Sequence, residues 1–527
     1  MNKINRIIFC IIDDLRSEHL FELLYKNLLP NIKKLMDNGI YSQNCITDYP
    51  SITYPTQVSM ITGTYTGDYQ KELCHGVPSF HWMDRSFLPP ILRDYGTYGS
   101  DEHIQLYKLN EDIGENCRTL PEMIDEGNKA SIGQFINRGS HYFFPERKIK
   151  MALYYLLIRY SGNIKKVMLL ANHVLVKKLL NTFRKPKNFF ENNDPPICSL
   201  LLFFSSDILM HLYGYDSRIY RLNLMHIDKV LGIMLKELTK MGYLDDTVIV
   251  ISSDHGNYKA EKVGDLNYFF KENSLTNYHP RRNIKANTNL SEFGGIGCFN
   301  FKSAETKSKK IWKRPSLNEM EQFGKGKINL FEKLFEIDGS YLMFYADDEN
   351  NYQKGIIHLK RKNRETGKIY IGKIEYKGTN TDYKTRYISE SQDFDIFQYF
   401  DDELASKMLD NRFHSTQEWL QNTYHLDYPL YPDLIPRHFK NPRGADIIIS
   451  TGGSIVYNIK HGKKKGNGIY QHDIGLRKSS VVPLIIGGSK EIPSKEISFC
   501  KTTDIVPTLL KFLGKKPHKS VLGVSVI

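Results

Sequence analysis

The sequence has no unbroken apolar run near the roughly 20 residues that a membrane-spanning helix needs. It is poor in cysteine, with seven among 527 residues and no CxxC pair. That excludes a disulfide framework and a thiolate zinc site as organising features. It has no GxxxxGK[ST] phosphate loop, and the GGIG at Gly294–Gly297 lies in a polar stretch that does not support a nucleotide-binding turn. It shows no internal repeat. Acidic residues are the scarcer charge, 59 against 72 Lys and Arg, which leaves a net charge of +13. A surplus of this sign suits an anionic partner, such as a phosphate ester or an acidic lipid surface, and no nucleic-acid-binding module accompanies it.

What is present is an ordinary globular mixture, 41% hydrophobic and 25% charged. The N-terminal MNKINRIIFCIIDD resembles a secretory signal at first sight. Its apolar run Ile7 to Ile12 is too short, however, and ends in two aspartates instead of a small-residue cleavage site. It reads as a buried first strand, and the expected location is cytoplasmic, with a peripheral membrane contact.

Short Val/Ile-rich runs recur at Arg6–Ile12, Ser199–Phe204, Thr247–Ile251, Ala445–Ser450 and Val481–Ile486. Continuous apolar runs of this length read as strands covered on both faces, as in a parallel sheet packed between helices. Helical periodicity lies between them, most clearly from Ser217 to Met241. Alternating strands and helices indicate an α/β fold. The expected organisation is a catalytic core in three parts, 1–138, 195–256 and 443–527. A basic helical insertion, 139–194, and a polar cap, 257–442, would interrupt it. Strand alternation in GIIHLKRKNRETGKIYIGKIEY marks the cap.

Position singles out the candidate site. Asp13 follows the first strand. Asp207 follows the second, with His211 four residues on, and Asp254 and His255 follow the third. Each alone has a plain reading as a helix cap, a turn residue or solvated surface. Ligand sites of open parallel sheets lie beyond the carboxyl ends of the strands, so these residues should converge there. Mixed Asp and His donors suit zinc, manganese or iron better than calcium. The segment Tyr54 to Ile61 reads as a helix with Thr53 at its N-cap.

Several of these motifs resemble the alkaline phosphatase superfamily, in particular its type I phosphodiesterase and nucleotide pyrophosphatase branch. Thr53-Tyr-Pro-Thr-Gln followed by MITGTY is similar to the nucleophile segment. Asp13-Asp14-Leu15-Arg16, the DxxxH of Asp207 and His211, and Asp254-His255-Gly256 match further motifs. His472, ahead of the VPLIIGG strand, matches a late metal histidine, with His461 as the rival. The resemblance implies a three-layer αβα sandwich with a mostly parallel central sheet and an inserted cap. It implies two divalent metal ions, zinc first, with manganese or iron as alternatives. Asp207, His211 and His472 would hold one, and Asp13, Asp254, His255 and the Thr53 oxygen the other. Thr53 would form a phosphothreonine while a phosphodiester or pyrophosphate bond is cleaved.

The sequence also departs from that pattern. Phe80 or His81 stands where the family usually offers an asparagine to the phosphate, so His81 and Arg138 are the candidate substrate contacts. A phosphomonoesterase, a phosphonate hydrolase or a phosphoryl transferase are alternatives on the same site, and a phosphate- or lipid-binding pseudoenzyme is the non-catalytic one. Sulfatases need a cysteine or serine in the Thr53 register, so sulfate esters are disfavoured. The substrate is expected to be a phosphate-ester small molecule or a lipid headgroup. Residues 147–187 carry eleven Lys and Arg and no acid beside an apolar stripe. They read either as a helix pair packed on the core or as a peripheral contact with an anionic membrane.

Overall fold

The strand Arg6–Ile12 shows why the central sheet needs cover on both sides. Ile7, Phe9 and Ile11 enter one apolar cluster, and Ile8, Cys10 and Ile12 enter another. All six are at most 1% exposed. The first cluster takes in the helices Thr53–Thr62 and Ile505–Phe512. The second takes in Ser17–Tyr25, Pro30–Asp37, Ile164–Arg184 and Arg218–Lys240. Helix, sheet and helix therefore form the expected αβα sandwich. The computed structural model describes residues 4–96, 105–391, 394–457 and 468–527.

Within the central sheet the strand order is Lys495–Glu496, Ile40–Ile46, Val481–Gly488, Thr247–Ser252, Arg6–Ile12, Pro196–Phe203, Asn128–Ile132 and Tyr142–Phe144. Cys500–Lys501 adds to Ile40–Ile46. Arg6–Ile12 pairs in parallel with both Pro196–Phe203 and Thr247–Ser252. Val481–Gly488 runs against its two neighbours. The long helix spans Arg218–Lys240, and the Ser217 hydroxyl caps it by accepting from the Tyr220 amide at 3.1 Å. All seven cysteines are buried, and none is in a disulfide.

A second sheet is antiparallel throughout. Its order is Thr288–Phe293, Ile296–Phe301, Ile447–Ser450, Leu342–Ala346, Lys354–Lys362, Ile369–Lys377, Lys384–Ser389 and His414–Ser415. The alternating segment expected in the cap is its hairpin Lys354–Lys362/Ile369–Lys377. Of GGIG, Gly294 and Gly295 connect the first two strands, and Ile296 and Gly297 begin the second.

One strand lies elsewhere than expected. Ile447–Ser450 is an inner strand of this antiparallel sheet and takes no part in the parallel one. Ile447 and Ile449 pack into one cluster and Ile448 into another. A continuous apolar run reports burial on both faces, and an inner antiparallel strand between two clusters satisfies that equally well.

Candidate active site and metal centre

Three strand ends deliver the site. Asp13 leaves Arg6–Ile12 with its amide still bonded to the Phe203 carbonyl, at 3.0 Å. Asp14 then adopts a left-handed conformation, φ 62°, and the Leu15 amide donates to the His255 carbonyl at 2.9 Å. This sharp bend ties the Asp13 loop to the Asp254–His255 loop. The helix Ser205–Tyr213 follows Pro196–Phe203 and sets Asp207 and His211 one turn apart, with His211 Nε2 3.1 Å from Asp207 Oδ1. His472 comes from a distant segment, just after Tyr470–Gln471 pairs with Tyr258–Lys259. It is locked beside the loop that leads into Thr53, because the Ser51 hydroxyl donates to the His472 carbonyl at 2.5 Å.

The three imidazoles share one arrangement. Nδ1 of His211 lies 2.8 Å from the Tyr470 carbonyl, Nδ1 of His472 lies 3.1 Å from the Ser51 carbonyl, and Nδ1 of His255 lies 3.1 Å from the Gly256 carbonyl. A carbonyl only accepts, so each Nδ1 carries a proton, which leaves Nε2 as the nitrogen that could meet a metal. His255 stacks on His472 at 3.8 Å, and His472 meets His211 edge-on at 5.2 Å.

These donors fit divalent metal ions. Asp13, Asp254 and His255 form one group, and Asp207, His255 and His472 form another, with the ligand atoms of each within 4.8 Å of one another. Asp13 Oδ1 is buried without a hydrogen-bond partner, and Asp207 Oδ1 is close to His211 but misaligned for a hydrogen bond. Buried carboxylate oxygens left in this way are suited to a cation. The division differs in two respects from that implied by the resemblance. His255 belongs to both groups, and His211 reaches its group through Asp207.

Thr53 opens the helix Thr53–Thr62. The N-cap position belongs to Ile52, one residue earlier than expected, and Thr53 is the first helical residue. Its Oγ1 is 3.1 Å from His255 Nε2.

The metal-free charges are strained. Burial, followed by the Asp254, Asp207 and Asp14 charges, pushes the Asp13 carboxyl well above its ordinary range. Burial acts the same way on Asp207, but His211 outweighs it and holds that carboxyl below the usual value. Burial and the neighbouring His255 and His211 push His472 well down. For His255, burial opposes the charge, yet Asp254 and Asp14 prevail and raise it to about 9. A folded value above the unfolded value of about 6.5 stabilises the fold below that pH and ceases to do so as pH rises through the folded value. The metal-free protein is therefore expected to lose melting temperature between pH about 6.5 and about 9 through this residue. If His255 held a metal it would no longer take up that proton, so the same scan of a metal-loaded sample should lack that slope. Calorimetry with and without chelator measures it.

Two sequence candidates are committed elsewhere. Arg138 Nε donates to Glu122 at 2.9 Å, and its remaining nitrogens donate to the carbonyls of Ile113, Gly114 and Cys117. It ties one loop together and makes no contact with the site. His81 pairs with Asp94 at 2.9 Å, at the start of a short hairpin. Phe80 stacks on Tyr54 at 5.0 Å, next to Thr53 in the chain. His461, the rival ligand, lies outside the described residues.

Supporting residues emerge only from the structure. Gln57 Nε2 donates to Asp254 Oδ2 at 2.7 Å, and Gln134 Nε2 donates to Gln57 Oε1 at 3.0 Å. The Asp254 Oδ1 atom accepts from the amides of Asp14 and His255. Asn257 holds the buried Asp14 carboxylate at 2.9 Å. Such bonds fix the orientation of ligands. Gln57 had a sequence signal, since it lies four residues after Thr53 on the same helix.

Comparison with known proteins agrees with this geometry. The family model "Type I phosphodiesterase / nucleotide pyrophosphatase" matches residues 8–316, more than half of the chain. That span includes Asp13, Thr53, Asp207, His211, Asp254 and His255. No curated protein sequence matches significantly. Among solved structures, murine ectonucleotide pyrophosphatase / phosphodiesterase 5 is similar with a TM-score of 0.55 at 13% identity, covering 97% of this chain and 96% of that one. An inactive variant of the murine protein in complex with AMP has a TM-score of 0.54 at 12% identity, with 97% and 96% covered. The human counterpart has a TM-score of 0.54 at 12% identity, with 97% and 95% covered. These likenesses support the fold, and the family match, together with the strand-end ligands and Thr53, means that this chain belongs to the type I phosphodiesterase / nucleotide pyrophosphatase family of the alkaline phosphatase superfamily.

Proposed function

We propose that the protein hydrolyses a phosphodiester or pyrophosphate bond in two displacements, with Thr53 as the nucleophile. One observation carries the reading. The Thr53 hydroxyl lies 3.1 Å from Nε2 of His255, the one imidazole shared by both ligand groups. Two divalent ions, zinc or else manganese or iron, would be held by Asp13, Asp254, His255, Asp207, His211 and His472. When bound they would polarise the phosphoryl oxygens and make a hydroxyl nucleophilic at neutral pH.

The chain's own groups supply position and field. Thr53 and Tyr54 lie in the first turn of their helix, where amides have no intrahelical acceptor, and Pro55 has no N–H at all. A helix N-terminus of this kind favours an anionic phosphoryl group and the threonine alkoxide. In the first displacement Thr53 Oγ1 gives up its proton and bonds to phosphorus, while the bond to the leaving oxygen breaks and that oxygen departs as an alkoxide or phosphate, to be protonated by solvent. In the second, water replaces the threonine oxygen. The Gln134–Gln57 chain holds Asp254 in one orientation throughout. Stacked Tyr54 and Phe80 form an aromatic wall beside the nucleophile, suited to an apolar or ring-containing part of the substrate. The AMP in the murine relative supports a nucleotide-type substrate, and a lipid-headgroup ester is the alternative.

A substrate panel tests the assignment. A bis-aryl phosphodiester should turn over faster than the matching aryl monoester, and chelation should stop both. A monoester rate exceeding the diester rate would assign the site to a phosphomonoesterase instead.

A further inference from the structure

The basic insertion consists of two helices of unequal character. Ile164–Arg184 packs inward through Met168, Leu175, Val176, Leu179, Leu180 and Phe183, as a covering helix should. Lys148–Tyr160 does not follow it. Only a narrow edge faces the protein, where Met151 and Ile158 pack and the Tyr154 ring lies 6.1 Å from Phe144. Ile149, Leu153, Leu156, Leu157 and Tyr160 are all exposed, Ile149 by 75% and Tyr160 by 72%.

Their spacing is that of one helix face, i, i+4, i+7, i+8 and i+11. The helix is thus amphipathic with its apolar face turned to solvent. At about 100° per residue, Lys148 and Lys150 fall on opposite flanks of the stripe, one on each side of Ile149. Both are exposed, as are Arg147 before the helix and Lys166 after it. No Asp or Glu occurs between Glu146 and Glu191. Among the described residues no helix is long and apolar enough to cross a membrane.

We propose that the outward face of Lys148–Tyr160 is an interfacial anchor for an anionic lipid bilayer. The stripe enters the headgroup boundary, and the flanking cations reach the lipid phosphates and carboxylates. An acidic protein partner would match the charge but would not explain both lysine flanks about a continuous apolar strip. The inference does not depend on the phosphodiesterase reading.

Sedimentation of the full chain with vesicles tests it, using phosphatidylcholine alone and phosphatidylcholine mixed with phosphatidylserine. The protein should pellet with the mixed vesicles at low salt, bind phosphatidylcholine alone weakly, and release as salt rises. The double variant Leu153→Glu/Leu157→Glu should bind the mixed vesicles about tenfold less, with an unchanged circular dichroism spectrum. Lys148→Glu/Lys150→Glu is the second variant and should lose binding to the mixed vesicles selectively. Failure of the wild-type chain to bind mixed vesicles at low salt would overturn the proposal. So would equal binding by the leucine variant, or equal binding of the wild type to both vesicle types. Concentration-dependent dimers abolished by the leucine variant, without vesicle binding, would assign the face to self-association.

Discussion

Thr53→Ala is expected to remove turnover, on the order of a thousandfold or more, while metal content stays at the wild-type level. The reason is local. The Thr53 hydroxyl lies 3.1 Å from Nε2 of His255, whose own orientation is set by Gly256 and by stacking on His472. Alanine is a better helix former than threonine, and the Thr53 carbonyl can still accept from the Thr56 hydroxyl. The helix should therefore keep its place, and metal analysis of the purified variant should match the wild type. Thr53→Ser should retain a measurable rate, because a hydroxyl remains at the same helix position. Full activity in Thr53→Ala would leave Thr53 as a structural residue and the mechanism without its nucleophile.

His255→Ala is expected to have the second large effect, and on metal content as well as rate. This imidazole is fully buried and belongs to both ligand groups. In the metal-free protein its removal leaves Asp13, Asp254 and Asp14 facing one another without their shared positive neighbour. Breaking a buried pair from one side costs about 3 kcal/mol or more in stability. Metal content should fall well below that of the wild type, turnover should drop on the order of a hundredfold or more, and the melting temperature should fall. Elemental analysis after gel filtration, with a thermal melt, measures all three. Wild-type metal content in this variant would mean that the ions are held by the remaining ligands alone.

The sequence made the ligands legible where strand ends announced them. Asp13, Asp207, Asp254 and His255 each follow an apolar run, and the parallel pairing of the three runs brings them together. His472 was harder to read, because a two-residue strand and a side-chain bond to Ser51 position it, and neither has a periodic signature. Gln57 and Asp14 were passed over because their work depends on which oxygen of Asp254 or which face of His255 they meet. Ile447–Ser450 was misplaced because apolar continuity reports burial and says nothing about strand direction. The loop-tying bonds of Arg138 were hidden for a similar reason. A guanidinium bonded to one carboxylate and three carbonyls looks, in sequence, like any loop arginine.

The basic insertion carries the same lesson at larger scale. Its 3.6-residue periodicity shows that each helix has an apolar face, without showing whether that face is covered. In Ile164–Arg184 it is covered by the sheet's outer layer, and in Lys148–Tyr160 it remains open. Helix propensity and amphipathicity are satisfied in both cases, so only the packing distinguishes them.

The central claim is a covalent intermediate on Thr53, and the stereochemical course at phosphorus tests it most directly. Each in-line displacement inverts the phosphorus centre, so attack by Thr53 followed by attack of water restores the original configuration. A phosphorothioate diester of known configuration, hydrolysed in isotopically labelled water, reads the outcome even when the intermediate does not accumulate. Retention is the predicted result, and inversion, which means a single direct attack by water, would contradict the account.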